Sequence, residues 1–190
     1  MPIFRKGHRT VHFAHVPRTG GRSIMHAVTA NGWTIERYVD GDKANIRSHT
    51  FYEEEFERAS LVPSFAVVRD PVDRFISATR FEGRCQNQSD VKKLVSLHDG
   101  HPLTDERHFD PQHSFIGPHT IIYKYETEYD QCVKALKVAG LIHVDHEMAR
   151  INDGSVLFDV DKSELGPECM KIRKWYLDDY REFGYMPSKS

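Results

Sequence analysis

Two short stretches hold the residues best suited to chemistry. The first, His15-Val16-Pro17-Arg18-Thr19-Gly20-Gly21-Arg22-Ser23-Ile24, follows the apolar run Val11-His12-Phe13-Ala14. The pattern predicts a buried strand that turns through two glycines into a helix. Such a turn aims several backbone N–H groups and the positive end of a helix dipole at one spot. Arg18, Thr19, Arg22 and Ser23 add donors around it, which makes a seat for a phosphate or sulfate. The loop lacks the G-x-x-x-x-G-K-[ST] spacing of NTP-binding loops and the G-x-G-x-x-G of dinucleotide sites. On its own it also fits an ordinary strand–helix connection.

The second stretch is Phe65-Ala66-Val67-Val68-Arg69-Asp70-Pro71-Val72-Asp73-Arg74-Phe75-Ile76-Ser77. Residues 64–68 form an apolar, β-branched run suited to a central strand. Arg69 then stands at the carboxyl end, where open α/β sheets bind ligands. Asp70 suits the cap of a following helix and Pro71 its first turn. An Arg at the strand end and the Ser77 hydroxyl two helical turns on can grip one phosphate from two sides. The plainer alternative is a pair of surface ion pairs, Arg69–Asp70 or Arg74–Asp73.

Together these segments resemble the sulfotransferases that use 3′-phosphoadenosine 5′-phosphosulfate (PAPS), most closely the carbohydrate branch. Residues 17–23 resemble the family's P-K-T-G-G-T-S loop for the 5′-phosphosulfate. Residues 69–77 resemble its R-D-P-x-x-R-x-x-S segment, whose Arg and Ser hold the 3′-phosphate. His108-Phe109-Asp110-Pro111-Gln112 resembles an H-x-x-P-Q element, and Tyr123-Lys124-Tyr125-Glu126 a strand ending in a K-F-E-like triplet. Residues 176–185 resemble the closing Y-x-x-D-F-x-x-F-G-Y helix, so the likeness runs from about residue 10 to 186 in the family's order. The resemblance implies a P-loop-like α/β fold and PAPS as donor. Its product is adenosine 3′,5′-bisphosphate, and no metal is required. It implies a donor site of Arg18, Thr19, Gly20, Gly21, Arg22, Ser23, Ile24, Arg69 and Ser77. The acceptor is a hydroxyl, a glycan or small molecule by analogy. Two positions depart from the pattern: the loop Lys is Arg18 and the second Thr is Arg22. In the family the Lys stabilises charge on the leaving group. Arg keeps the charge, but its planar fork is not equivalent to a compact ammonium.

Sulfuryl transfer also needs a base with a pKa near neutrality, which favours His. Among 12 histidines, His49 in Arg47-Ser48-His49-Thr50-Phe51 resembles the family's catalytic His, with Arg18 expected as its catalytic partner. His15, adjoining the loop, is the alternative base, and His108 and His113 are candidates for the acceptor side. His143-Val144-Asp145-His146-Glu147 lacks H-E-x-x-H, and no metal site is expected. Two competing readings are a small P-loop kinase, opposed by the missing Lys-Ser/Thr pair, and a non-catalytic nucleotide-binding homologue.

Elements must position these groups. The expected fold is one α/β domain over residues 1–190, a parallel sheet of about four to five strands flanked by helices. Strands are expected at 11–16, 34–39, 64–68, 120–125 and 141–144, and helices at 21–31, 72–80, 128–139 and 167–183. Residues 82–118 read as an irregular insertion, the candidate acceptor loop. Formal net charge is −2, so no global field attracts nucleic acid. Three scattered cysteines without C-x-x-C spacing fit free thiols in a reducing compartment. With no run of 18 apolar residues and no signal peptide, a soluble cytoplasmic protein of microbial or viral origin is expected.

Overall fold

The apolar runs around Phe13 and Phe65 become β2 (Arg9–Ala14) and β4 (Ser64–Val68), which pair in parallel. The computed structural model describes residues 1–36, 62–81, 83–97, 107–149, 151 and 160–185. Within them, β1 (Ile3–Lys6), β3 (Thr34–Glu36) and β5 (Thr120–Lys124) complete a five-stranded sheet in the order β3-β1-β2-β4-β5. β4 and β5 are parallel, and β1 is antiparallel to both β2 and β3. The sheet is therefore mixed: β1 alone runs against the common direction of the other strands. β1 forms a hairpin with β2 through Gly7-His8, and Gly7 at φ 59° supplies the positive φ that so tight a turn needs.

The chain divides into two compact units, Met1–Arg69 with Gln112–Ile151, and Asp70–Pro111 with Asn152–Ser190. In the first, the whole sheet packs with α1 (Gly21–Ala30) and α4 (Tyr129–Val138). Period-two alternation sends Phe13, Phe65 and Val67 into one core with Ile24, Val28 and Leu136. Ala14 and Ala66 turn the opposite way and join Met1, Val16 and Phe115. Phe13 and Phe65, cross-strand partners, stack with centroids 4.8 Å apart.

The second unit gathers α2 (Pro71–Phe81), α3 (Gln88–Ser96), α5 (Gly166–Trp175) and α6 (Leu177–Glu182) around Phe75, Val91, Phe109, Ile172 and Tyr180. As its sequence suggests, Asp70 caps α2: its Oδ1 accepts from the N–H groups of Val72 and Asp73 at 3.0 and 3.1 Å.

The sheet is mixed where a parallel one is expected, because β1 returns as a hairpin onto β2, and three further expectations are corrected. The stretch 82–118 is not irregular throughout: α3 lies in it, N-capped by the Asn87 side chain, and a 3₁₀ turn spans Gln112–Phe115. Residues 141–144 form no strand. Gly140 at φ 67° ends α4, and the N–H groups of Leu141 and Ile142 both bond back to Leu136 O. The expected last helix breaks at Tyr176 into α5 and α6.

Candidate functional site

The diglycine loop is built around two left-handed residues. Arg18 has φ 65° and Gly20 φ 84°, and alternation of this kind turns successive N–H groups into one concavity. Arg18 is the only non-glycine with positive φ among the described residues, a strained backbone of the sort stored at functional sites. Fully buried Thr19 ties the turn by donating from Oγ1 to Val16 O at 2.9 Å. α1 then starts with Gly20 as N-cap, without a side-chain cap bond or an acidic residue in its first turn. The positive end of its dipole is thus left uncompensated by those means.

Space demands glycine at 21, and a positive φ with crowded surroundings favours it at 20. A Cβ on Gly21 would overlap the imidazole of His15. A Cβ on Gly20 would lie 3.0 Å from Tyr125 Cε2 and 3.1 Å from Tyr129 Cε2. His15 itself is only 4% exposed and stacks on Phe13, with centroids 5.2 Å apart.

Arg69 meets this loop in the same unit. Its Nη1 lies 3.5 Å from Arg18 O, and its guanidinium sits 5.0 Å from the centroid of the Tyr125 ring. The Arg69 Nε is buried without a hydrogen-bond partner among the described residues. Its backbone is held by Gln112: Arg69 N–H donates to Oε1 at 2.9 Å, and Nε2 donates to Arg69 O at 2.8 Å.

The other predicted residues divide sharply. Arg22 is exposed on α1, whereas Ile24 is fully buried in the core, which keeps its side chain from a ligand. Ser23 is buried, and its Oγ accepts from Ile151 N–H at 3.1 Å. Ser77 is buried on α2 of the second unit. His49 lies outside the described residues. The alternative Arg74–Asp73 pair is not formed. Arg74, 1% exposed, donates to His108 O at 2.9 Å and Asp110 O at 2.5 Å and lies over Tyr176, while Asp73 pairs with Lys162. His108 is buried against the Phe81 edge.

Gln112 and Tyr125 were visible in sequence only as parts of motifs, and Tyr129 only as part of an expected helix. Their work on Arg69 and Gly20 depends on tertiary contact. Among the described residues, no group of three or more His, Cys, Asp or Glu is arranged to hold a metal, and no helix is long and apolar enough to cross a membrane. Cys85, Cys132 and Cys169 are buried free thiols, and burial pushes the Cys132 thiol up to about 12.

The loop and the strand-end arginine together are chemically able to hold an anion. No curated protein and no solved structure matches the chain. The model of the sulfotransferase family matches residues 1–186, and the chain belongs to that family.

Proposed function

We propose that this chain transfers a sulfuryl group from PAPS to a hydroxyl acceptor, with residues 18–24 and Arg69 as the seat of the donor. One observation carries the reading. A loop that alternates through left-handed Arg18 and Gly20 into the start of α1, with no acidic residue in that first turn, faces an arginine whose buried Nε has no hydrogen-bond partner among the described residues. Such a cradle fits an anion approaching main-chain N–H groups closely, as phosphate and sulfate do.

PAPS supplies an activated sulfuryl group and leaves as adenosine 3′,5′-bisphosphate. The N–H groups of residues 20–22 and the Arg18 guanidinium would hold the 5′ end, and Arg69 with Ser77 the 3′-phosphate. Ser77's part rests on the family resemblance alone, as does Ile24's. Arg18 stays protonated throughout and stabilises negative charge as it develops beside it. His49 takes the acceptor's proton on an imidazole nitrogen. Burial beneath Gly21 favours a packing role for His15, which supports His49 as the base. A glycan hydroxyl is the proposed acceptor, by analogy with the carbohydrate branch.

The test is sulfate transfer from labelled PAPS onto a panel of glycans and small alcohols. A product heavier by one sulfate is expected from the wild type. His49→Ala should lose transfer yet still bind adenosine 3′,5′-bisphosphate. ATP turnover without PAPS consumption would point instead to a kinase, and PAPS binding without transfer to a non-catalytic homologue.

A further inference from the structure

We infer that Gln112 is a positioning residue that sets the aim of Arg69, a role that rests on the donor reading above. β4 loses its neighbours at this point. β2 has ended at Ala14 and β5 at Lys124, and the last bond to β4 runs from Tyr125 N–H to Val68 O at 2.7 Å. The next residue, Arg69, would enter the site with an unpaired N–H and C=O. Gln112, fully buried in the 3₁₀ turn Gln112–Phe115, closes both bonds with one side chain.

This exchange copies the hydrogen-bonded pair of an antiparallel ladder, in which one residue gives and receives on the same partner. Only a side-chain amide offers a carbonyl acceptor and an N–H donor side by side without charge. The clasp extends the strand by one residue without adding a strand. It holds the Arg69 Cα while the guanidinium reaches Tyr125 and the Arg18 carbonyl. Gln112 need not touch the donor; it acts through Arg69.

The experiment compares adenosine 3′,5′-bisphosphate with adenosine 5′-monophosphate by titration calorimetry. The ratio of their affinities isolates the contribution of the 3′-phosphate. Gln112→Met keeps length and bulk but loses both bonds. It should cut that ratio by about tenfold or more, with 5′-monophosphate affinity within about twofold of wild type. Exchange of the Arg69 amide hydrogen should quicken by about 100-fold, while Phe65–Val67 stay protected.

Gln112→Glu supplies a second signature. Its carboxylate cannot donate to Arg69 O, but its protonated form can. Selectivity, normalised to wild type at each pH, should therefore recover as pH falls and the buried carboxyl takes up its proton. A wild-type ratio persisting in Gln112→Met, or equal losses for both nucleotides, would overturn the role. Equal binding of both nucleotides by the wild type would instead overturn the donor reading, and the exchange measurement would then report the clasp alone.

Discussion

The two ends of β4 both hold polar side chains, and they use them in opposite ways. At the amino end, His12 Nδ1 and Ser64 Oγ share a hydrogen bond of 2.8 Å, and Ser64 Oγ continues to Thr120 Oγ1 at 3.1 Å. These three residues are cross-strand neighbours in β2, β4 and β5. At the carboxyl end, Arg69 is clasped by Gln112 through its backbone, and its side chain turns toward the glycine loop. One end spends its polar groups on the sheet. The other spends main-chain groups on Gln112 and leaves the Arg69 guanidinium beside the glycine loop. Burial separates them further: the His12 ring is 2% exposed and its pKa is lowered to about 4, so it stays neutral.

The comparison can be broken by substitution at either end. The largest effect is expected at the loop. Gly21→Ala forces a Cβ into the His15 ring and should reduce transfer by at least about 100-fold, at a stability cost of about 1–3 kcal/mol. Steady-state kinetics and thermal denaturation read the two effects. Arg69→Ala should weaken adenosine 3′,5′-bisphosphate binding by about 30- to 1000-fold while the melting temperature changes little.

The amino end should show the reverse. Below 6.5 the unfolded chain protonates His12, whereas the folded chain resists until about 4. The unfolded state thus binds the extra proton, and stability present above this window is lost as pH falls through it. The loss amounts to at most about 3 kcal/mol. Denaturant titration at several pH values should show the decline, and His12→Gln should flatten it. Ser64→Ala, the smallest effect, should cost about 1 kcal/mol and leave kcat unchanged. A fall in kcat there would erase the distinction between the two ends.

Local patterns made part of this legible. The run Ser64–Val68, the cap at Asp70 and the turn into α1 each announce themselves within a few residues, and each is present. β1 escaped notice because a four-residue strand with Arg5 and Lys6 shows little alternation, leaving only the Gly7-His8 turn as its signal. The last helix was legible over 167–183, but its break was not. Tyr176 OH bonds to Phe109 O at 2.6 Å, far away in sequence. For the same reason the site residues were legible as a loop and an arginine, while the clasp of Gln112 on Arg69 was not. Nothing local pairs an amide side chain with a strand end 43 positions away. Ser23 shows the converse: its type and place suit a donor to the anion, yet its Oγ also receives the Ile151 N–H.

The central claim is that the glycine loop and Arg69 form a seat for a nucleotide phosphorylated at both ends. It is tested most directly by titrating the wild type and Arg69→Ala with adenosine 3′,5′-bisphosphate and adenosine 5′-monophosphate. The wild type should prefer the bisphosphate by about tenfold or more, and Arg69→Ala should bind the two alike. Equal affinities in the wild type, or a preference that survives in Arg69→Ala, would contradict it.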